Sequence, residues 1–173
     1  MPDSTLQARR EAIVREHMDS EGRKDFEATI ATFHSPRYEI VPTSEVHDDA
    51  DALRSFYAET AQAFPDFRFE NADFHHAADS VITEVDFVGT HLGGWRGLPA
   101  TGRAVRYRMC NVFVFDEDRL ICERLHFDLL TVMKQVGIAR DPTTLLGRLT
   151  AFMNHPLHVS WAFLRGLFHR EGP

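Results

Sequence analysis

Residues 103–128, RAVRYRMCNVFVFDEDRLICERLHFD, hold the longest β pattern in the chain. Apolar residues alternate with polar ones on both sides of Asp116-Glu117-Asp118-Arg119, which reads as two antiparallel strands joined by a tight turn. With Glu117 and Asp118 as a two-residue loop, Asp116 pairs with Arg119. That register sets Asn111 opposite Arg124, Met109 opposite His126 and Tyr107 opposite Asp128. Residues i and i+2 of a strand share a face, so His126 and Asp128 are expected to point one way and Leu125 and Phe127 the other. A carboxylate and an imidazole beside a phenol, an amide and soft apolar surface make either a reaction chamber or a hydrogen-bonded knot at a strand end. The same register puts Cys110 and Cys122 on opposite sides of the sheet. Neither lies in a C-x-x-C arrangement, so both read as small apolar residues rather than a disulfide.

Upstream of this hairpin the periodicity is helical, then extended. Ser4 to Asp19 reads as a helix with a narrow apolar stripe (Leu6, Ala12, Ile13, Val14) and Gly22 as its stop. Asp25 to Phe33 is a second short helix, Arg37 to Val41 a brief strand, and the segment after Asp48-Asp49 a third helix ending at Pro65. Phe67 to Phe74 and Val81 to Val88 then alternate with period two, the first interrupted at Asn71-Ala72. In the second, Val81, Thr83, Val85 and Phe87 form the core side and Glu84 and Asp86 the solvent side. Gly89 to Gly102 is a Gly- and Pro-rich connection, and Leu129 to Val136 a short helix stopped by Gly137. Helices followed by an antiparallel meander give an α+β fold, with helices on one face of a curved sheet whose concave side holds side chains or a ligand.

At 173 residues and 43% hydrophobic, the chain has the core of one domain, residues 1–138, and an appendage, residues 139–173. The appendage contains one helix from Asp141-Pro142 onward and a second, Leu157 to Phe168, apolar nearly all round (Val159, Trp161, Phe163, Leu164, Leu167). It is too short to span a bilayer. Packing across the cone mouth or against a second subunit is expected ahead of membrane-surface binding. A formal charge of −7 argues against a nucleic-acid footprint, and Arg103, Arg106 and Arg108 read as solvated surface. With no apolar leader in residues 1–16, the protein is expected to be soluble and cytoplasmic. His75-His76 and His155-x-x-His158 lack the third and fourth ligands of a zinc site, so no metal is expected. No phosphate loop, G-x-S-x-G or Cys/His nucleophile spacing is present.

Four ordered stretches carry a resemblance: AFPDFRFE (63–70), GTHLGGWRGLPATGR (89–103), VFVFD (112–116) and ERLHFD (123–128) followed by QVG (135–137). Together they resemble the SnoaL-like polyketide cyclase family, within the nuclear transport factor 2-like superfamily of conical α+β domains, over roughly Glu11 to Ile138. The resemblance implies a cofactor-independent acid/base enzyme in an apolar pocket, a cyclase or isomerase acting on an aromatic or polycyclic carbonyl compound, and a homodimer. Asp128 falls where the cyclases carry a general acid/base aspartate. Buried in a dry cone, its pKa would rise toward neutrality; otherwise it caps the helix starting at Leu129. His126 is placed to share or relay the proton. Tyr107, Met109 and Asn111 are candidate substrate contacts and Trp95 a cover for the pocket, while His91 reads as structural. Related epoxide hydrolases use an Asp–Arg–Asp set, for which Asp86 and Asp128 supply carboxylates but Glu84 stands where an arginine is needed. A non-catalytic binding domain of the same fold is the remaining alternative.

Overall fold

The computed structural model describes residues 4–168. The chain runs α1 (Ser4–Gly22), α2 (Phe26–Ala31), β1 (Tyr38–Ile40), a 3-10 turn (Val41–Thr43), β2 (Glu45–His47), α3 (Ala50–Ala63), β3 (Arg68–His76), β4 (Ser80–Thr90), β5 (Ala104–Asp116), β6 (Arg119–Phe127), α4 (Leu129–Gln135), α5 (Leu145–Asn154) and α6 (Pro156–Phe168). Its six strands form one open sheet in the order β2-β1-β6-β5-β4-β3. All neighbours are antiparallel except β1 and β6, which run parallel. This is the α+β architecture that the sequence implied, with β2 an addition that its three residues were too short to announce.

Local chemistry explains most boundaries. Asp25 and Asp49 cap α2 and α3 by accepting from the amides of Ala28 and Ala52. Gly137 ends α4 in the left-handed region, as expected of a glycine stop. Helix α1, however, continues through Gly22, and Lys24 takes the left-handed turn that ends it. The irregularity at Asn71-Ala72 is a bulge within continuous β3, with Asn71 left-handed.

A second bulge matters more. Asp116 pairs with Arg119 as the turn predicts, but β6 then carries one extra residue, Ile121, so that Val114 pairs with Cys122. From there the register is shifted by one: Asn111 pairs with Leu125, Cys110 with His126 and Met109 with Phe127. A one-residue shift exchanges the faces of every following side chain relative to the partner strand. Glu123, Leu125 and Phe127 therefore join Asn111 and Met109 on the concave side, while Arg124 and His126 turn outward. Cys110 and Cys122 end on the same, outer face rather than on opposite ones, opposite different partners and both free.

The core lies between the concave face and α1–α3, with Val14, Leu53, Tyr57, Val81, Val85 and Phe113 all but fully buried. Buried Arg10 of α1 donates to Glu117 O at 2.6 Å and Ala78 O at 2.9 Å, tying the helix to both hairpin turns. On the outer face Arg106 and Arg108 stand side by side, as i and i+2 require, and pair with Glu70, Asp73, Glu84 and Asp86. Helices α5 and α6 pack on each other and leave most of their described apolar side chains exposed. The side chains of Phe163, Leu164 and Leu167 lie outside the described residues.

The 89–103 connection is pinned to the end of α3. Leu92 and Gly93 amides both donate to Ala63 O, and a Cβ on Gly93 would stand 2.0 Å from the Gln62 carbonyl oxygen. Backbone meets backbone there, so nothing soft can yield. Gly93→Ala is expected to cost about 1–3 kcal/mol, measured by urea unfolding, and to shift the environment-sensitive emission of Trp95 carried by this loop.

Candidate active site

Between the concave face and the helices is an apolar cavity containing about 570 Å³ of empty space, counting its open side. Leu125 and Phe127 of β6, Met109 of β5, Phe87 of β4, Phe56 and Phe64 of α3 and Trp95 of the 89–103 loop supply most of its wall. The polar lining is sparse: Glu21, Tyr38, Thr60, Arg96, Tyr107 and Asn111. Arg96 is engaged in an ion pair with Glu45 of β2.

Glu21 is the single carboxylate among these lining residues, and it does not stand alone. His17, one turn earlier on α1, is completely buried, and its Nε2 lies 3.0 Å from Glu123 Oε2 of β6 and 3.8 Å from Glu21 Oε2. On the other side of the ring, His17 Nδ1 is 2.8 Å from Thr32 Oγ1, and the Thr32 hydroxyl gives its own proton to Thr29 O at 2.7 Å. A hydroxyl has one hydrogen, so Thr32 can only accept from His17, which fixes a proton on Nδ1. Nε2 and Glu123 Oε2 approach to 3.0 Å, and neither atom has a hydrogen-bond partner.

Burial, and then the negative charge of Glu123, push the Glu21 carboxyl well above its usual range. Tyr107 is also pushed up, by burial first and then by Glu21, so it stays a phenol and hydrogen-bond donor. Asn111 is buried with its Oδ1 unpartnered. A weakly acidic carboxyl, a protonated phenol and a free amide thus share one dry, ring-lined space, a set suited to moving a proton and steadying the oxygen from which charge develops.

Of the residues singled out in the sequence, Tyr107, Met109, Asn111 and Trp95 line this cavity. Asp128 and His126 do not. Asp128 is the N-cap of α4, exposed, and accepts from the Thr131 hydroxyl at 2.5 Å and the Thr131 amide at 3.1 Å. Those two donors hold its carboxyl below the usual range, the reverse of the rise that burial would have caused. His126 is exposed on the outer face opposite Cys110. The bulge at Ile121 accounts for the difference at His126, and the helix start at Leu129 for that at Asp128. Asp86 also faces outward, bonded to Asn71, Arg106 and Arg108, so the two carboxylates considered for a hydrolase do not meet in the cavity. His91 is a buried structural residue, its Nδ1 3.0 Å from Thr101 Oγ1 and its ring against Phe64. Glu21, His17 and Glu123 were not singled out. The available signal was helical spacing: Arg10, Val14, His17, Met18 and Glu21 follow one buried face of α1, which interleaves ionisable and apolar residues.

Two measurements check this geometry. ¹⁵N-detected NMR of the His17 ring is expected to show a persistent Nδ1–H that Thr32→Val perturbs; a bare Nδ1 would remove the tautomer assignment. The raised Glu21 carboxyl also has a stability consequence, because folded Glu21 keeps its proton to higher pH than the unfolded chain. Its contribution is fully present below about 4.5, the unfolded value, and is lost as pH rises through the raised folded value. Glu21→Gln cannot ionise, so its urea midpoint is expected to gain on wild type as pH rises from 4.5 to 8.

Residues 12–136 match the family model of the SnoaL-like polyketide cyclases. Among solved structures, the chain superposes on a proposed SnoaL-like polyketide cyclase from Jannaschia sp. with a TM-score of 0.69 at 18% identity, covering 82% of this chain and 99% of that one. It superposes on AclR, a proposed hydroxylase from Streptomyces galilaeus, with 0.66 at 19%, covering 77% and 98%. A protein with a ketosteroid isomerase-like fold from Catenulispora acidiphila, solved with trimethylamine, gives 0.63 at 14%, covering 73% and 92%. At these identities the structural likeness is one of fold. No curated protein matches the sequence. The family match spans most of the chain, including all six strands, and leaves out only the start of α1 and the stretch that carries α5 and α6; on that ground the protein belongs to the SnoaL-like polyketide cyclase family.

Proposed function

We propose that the cavity catalyses proton abstraction alpha to a carbonyl on an apolar aromatic or polycyclic compound, followed by intramolecular aldol closure or isomerisation, with no cofactor. The observation that carries this reading is Glu21: one buried carboxyl with a raised pKa, facing a cavity otherwise walled by rings and methyl groups. A base is most effective when its pKa lies near the working pH, and desolvation moves a glutamate in that direction. Glu21 takes the alpha proton onto a carboxylate oxygen. Tyr107 and Asn111 donate to the enolate oxygen that forms, and the carbanion attacks a second carbonyl of the same molecule or is reprotonated at another carbon. Glu21 then returns its proton to the new alkoxide or carbon. His17 and Glu123 are positioning residues, setting the charge behind Glu21 without reaching the substrate.

The free space imposes a condition on substrate entry. The cavity's own volume is only about 60 Å³, so a multi-ring compound enters by displacing wall side chains such as Trp95, Phe127 and Met109.

The test is solvent deuterium incorporation at the alpha carbon of bicyclic aromatic 1,3-dicarbonyl compounds, followed by NMR. Wild type is expected to catalyse the exchange, with a rate that rises with pH through a midpoint above the ~4.3 of an ordinary glutamate. Glu21→Gln is expected to lose about 10²–10⁴-fold, and Asp128→Asn to keep the activity. The opposite pattern, loss in Asp128→Asn and retention in Glu21→Gln, would return the base to the end of β6. Incorporation of ¹⁸O from water into product would mark hydrolysis instead.

A further inference from the structure

Helices α5 and α6 form a hairpin whose apolar rows face solvent. Leu145, Leu149 and Met153 follow one another at i, i+4 and i+8 on α5, and Leu157 and Trp161 at i and i+4 on α6. Leu145 is 86% exposed, Met153 71% and Leu157 83%. More than half of the large apolar side chains exposed among the described residues lie in this hairpin. A contiguous apolar surface of that kind marks an interaction site.

Charge says what covers it. The chain has 26 acidic residues, yet none falls between Asp141 and Glu171. Residues 142–170 carry three arginines and a formal charge of +3, which leaves −10 for the rest. Arg148 and Arg165 border the apolar rows. Arg148 stands three residues after Leu145 and four before Phe152, and the Arg165 guanidinium lies 4.5 Å over the Trp161 ring. Apolar rows edged by exposed cations and an indole are the layout of a helix lying in a membrane interface, with side chains in the acyl boundary and guanidinium groups among phosphates. No described helix is long and apolar enough to cross a membrane. A second copy fits less well, because a two-fold contact brings the same cationic segments together with no carboxylate among them.

We propose that the α5–α6 hairpin docks this protein onto an anionic phospholipid surface, lying in the interface rather than spanning it. The full chain is to be sedimented with vesicles of phosphatidylcholine alone and with 30% phosphatidylglycerol. Trp161 emission is followed in a Trp95→Phe background, since Trp95 is the other tryptophan. Binding to the anionic vesicles with a blue shift of Trp161 is expected, and little binding to neutral ones. At about 1 kcal/mol per cation near such a surface, Arg148→Gln with Arg165→Gln is expected to weaken binding about thirtyfold. Leu149→Asp with Leu157→Asp, both at exposed positions, is expected to abolish binding while circular dichroism of the sheet domain is unchanged. Equal binding to both vesicle types, or binding indifferent to the arginines, would overturn the proposal. So would absence of binding, whether the protein is a monomer or a dimer that light scattering shows to be lost in the Leu149→Asp, Leu157→Asp variant; in the latter case the occupant is a second copy.

Discussion

The ladder between β5 and β6 has one residue more on β6 than on β5, and the chemistry of the interior depends on that residue. With Ile121 bulged, Glu123, Leu125 and Phe127 point into the concave side, and Arg124 and His126 point out. Without it, the inward set would be Cys122, Arg124, His126 and Asp128, with an arginine where Leu125 now stands and a thiol where Glu123 now meets His17. The bulge is stable because both alternatives close the same turn. Asp116 and Arg119 pair across Glu117-Asp118 in either case, and what selects the observed one is burial of Leu125 and Phe127 against the other rings. Parallel pairing with β1 then fixes the far side of β6, setting Tyr38 beside Glu123 and Ile40 beside Leu125.

The consequence is a buried group of three ionisable side chains, a costly thing for a domain of this size to hold. Taking charges out of water is rarely repaid by their mutual attraction. Here Glu21 and Glu123 share one dry site beside His17, and burial, then the charge of Glu123, pushes the Glu21 carboxyl well above its usual range. The surroundings limit rearrangement. Thr32 fixes one side of the imidazole, and Ser20 and Thr29 bond across from α1 to α2 at 2.9 Å, locking the short helix to the long one. An arrangement that keeps a desolvated carboxyl in place against an apolar cavity costs stability.

The outer face of the sheet has the opposite character. Arg106 and Arg108 face Glu70, Asp73, Glu84 and Asp86, both signs are interspersed, and the pairs are exposed, so they contribute solubility more than stability. The acids are concentrated on this domain and the exposed apolar rows on the hairpin that follows α4. One chain thus presents two unlike surfaces, joined through the stretch after Gly137.

Much of this was legible in the sequence because it is local. Period two in 103–128, helix starts at Asp25 and after Asp48-Asp49, the glycine stop at Gly137 and the solvent side of Glu84 and Asp86 follow from residue type and spacing. So do Tyr107, Met109 and Asn111 as residues of one face, since i and i+2 share a side whatever the partner strand does. The candidate base was not legible, for two physical reasons. Asp128 sits where a strand ends and a helix begins, and the same carboxylate suits a catalyst or an N-cap; Thr131, three residues on, decides for the cap by donating twice. Glu21, His17 and Glu123 come from a helix and a strand a hundred residues apart, and each alone looks like surface charge. A bulge changes the facing of a strand without changing its alternation, and burial depends on what lies across the gap. The sequence by itself determined the main elements, their order and the family resemblance; the tertiary structure decided which carboxylates are dry, because desolvation is a property of the neighbours and not of the residue.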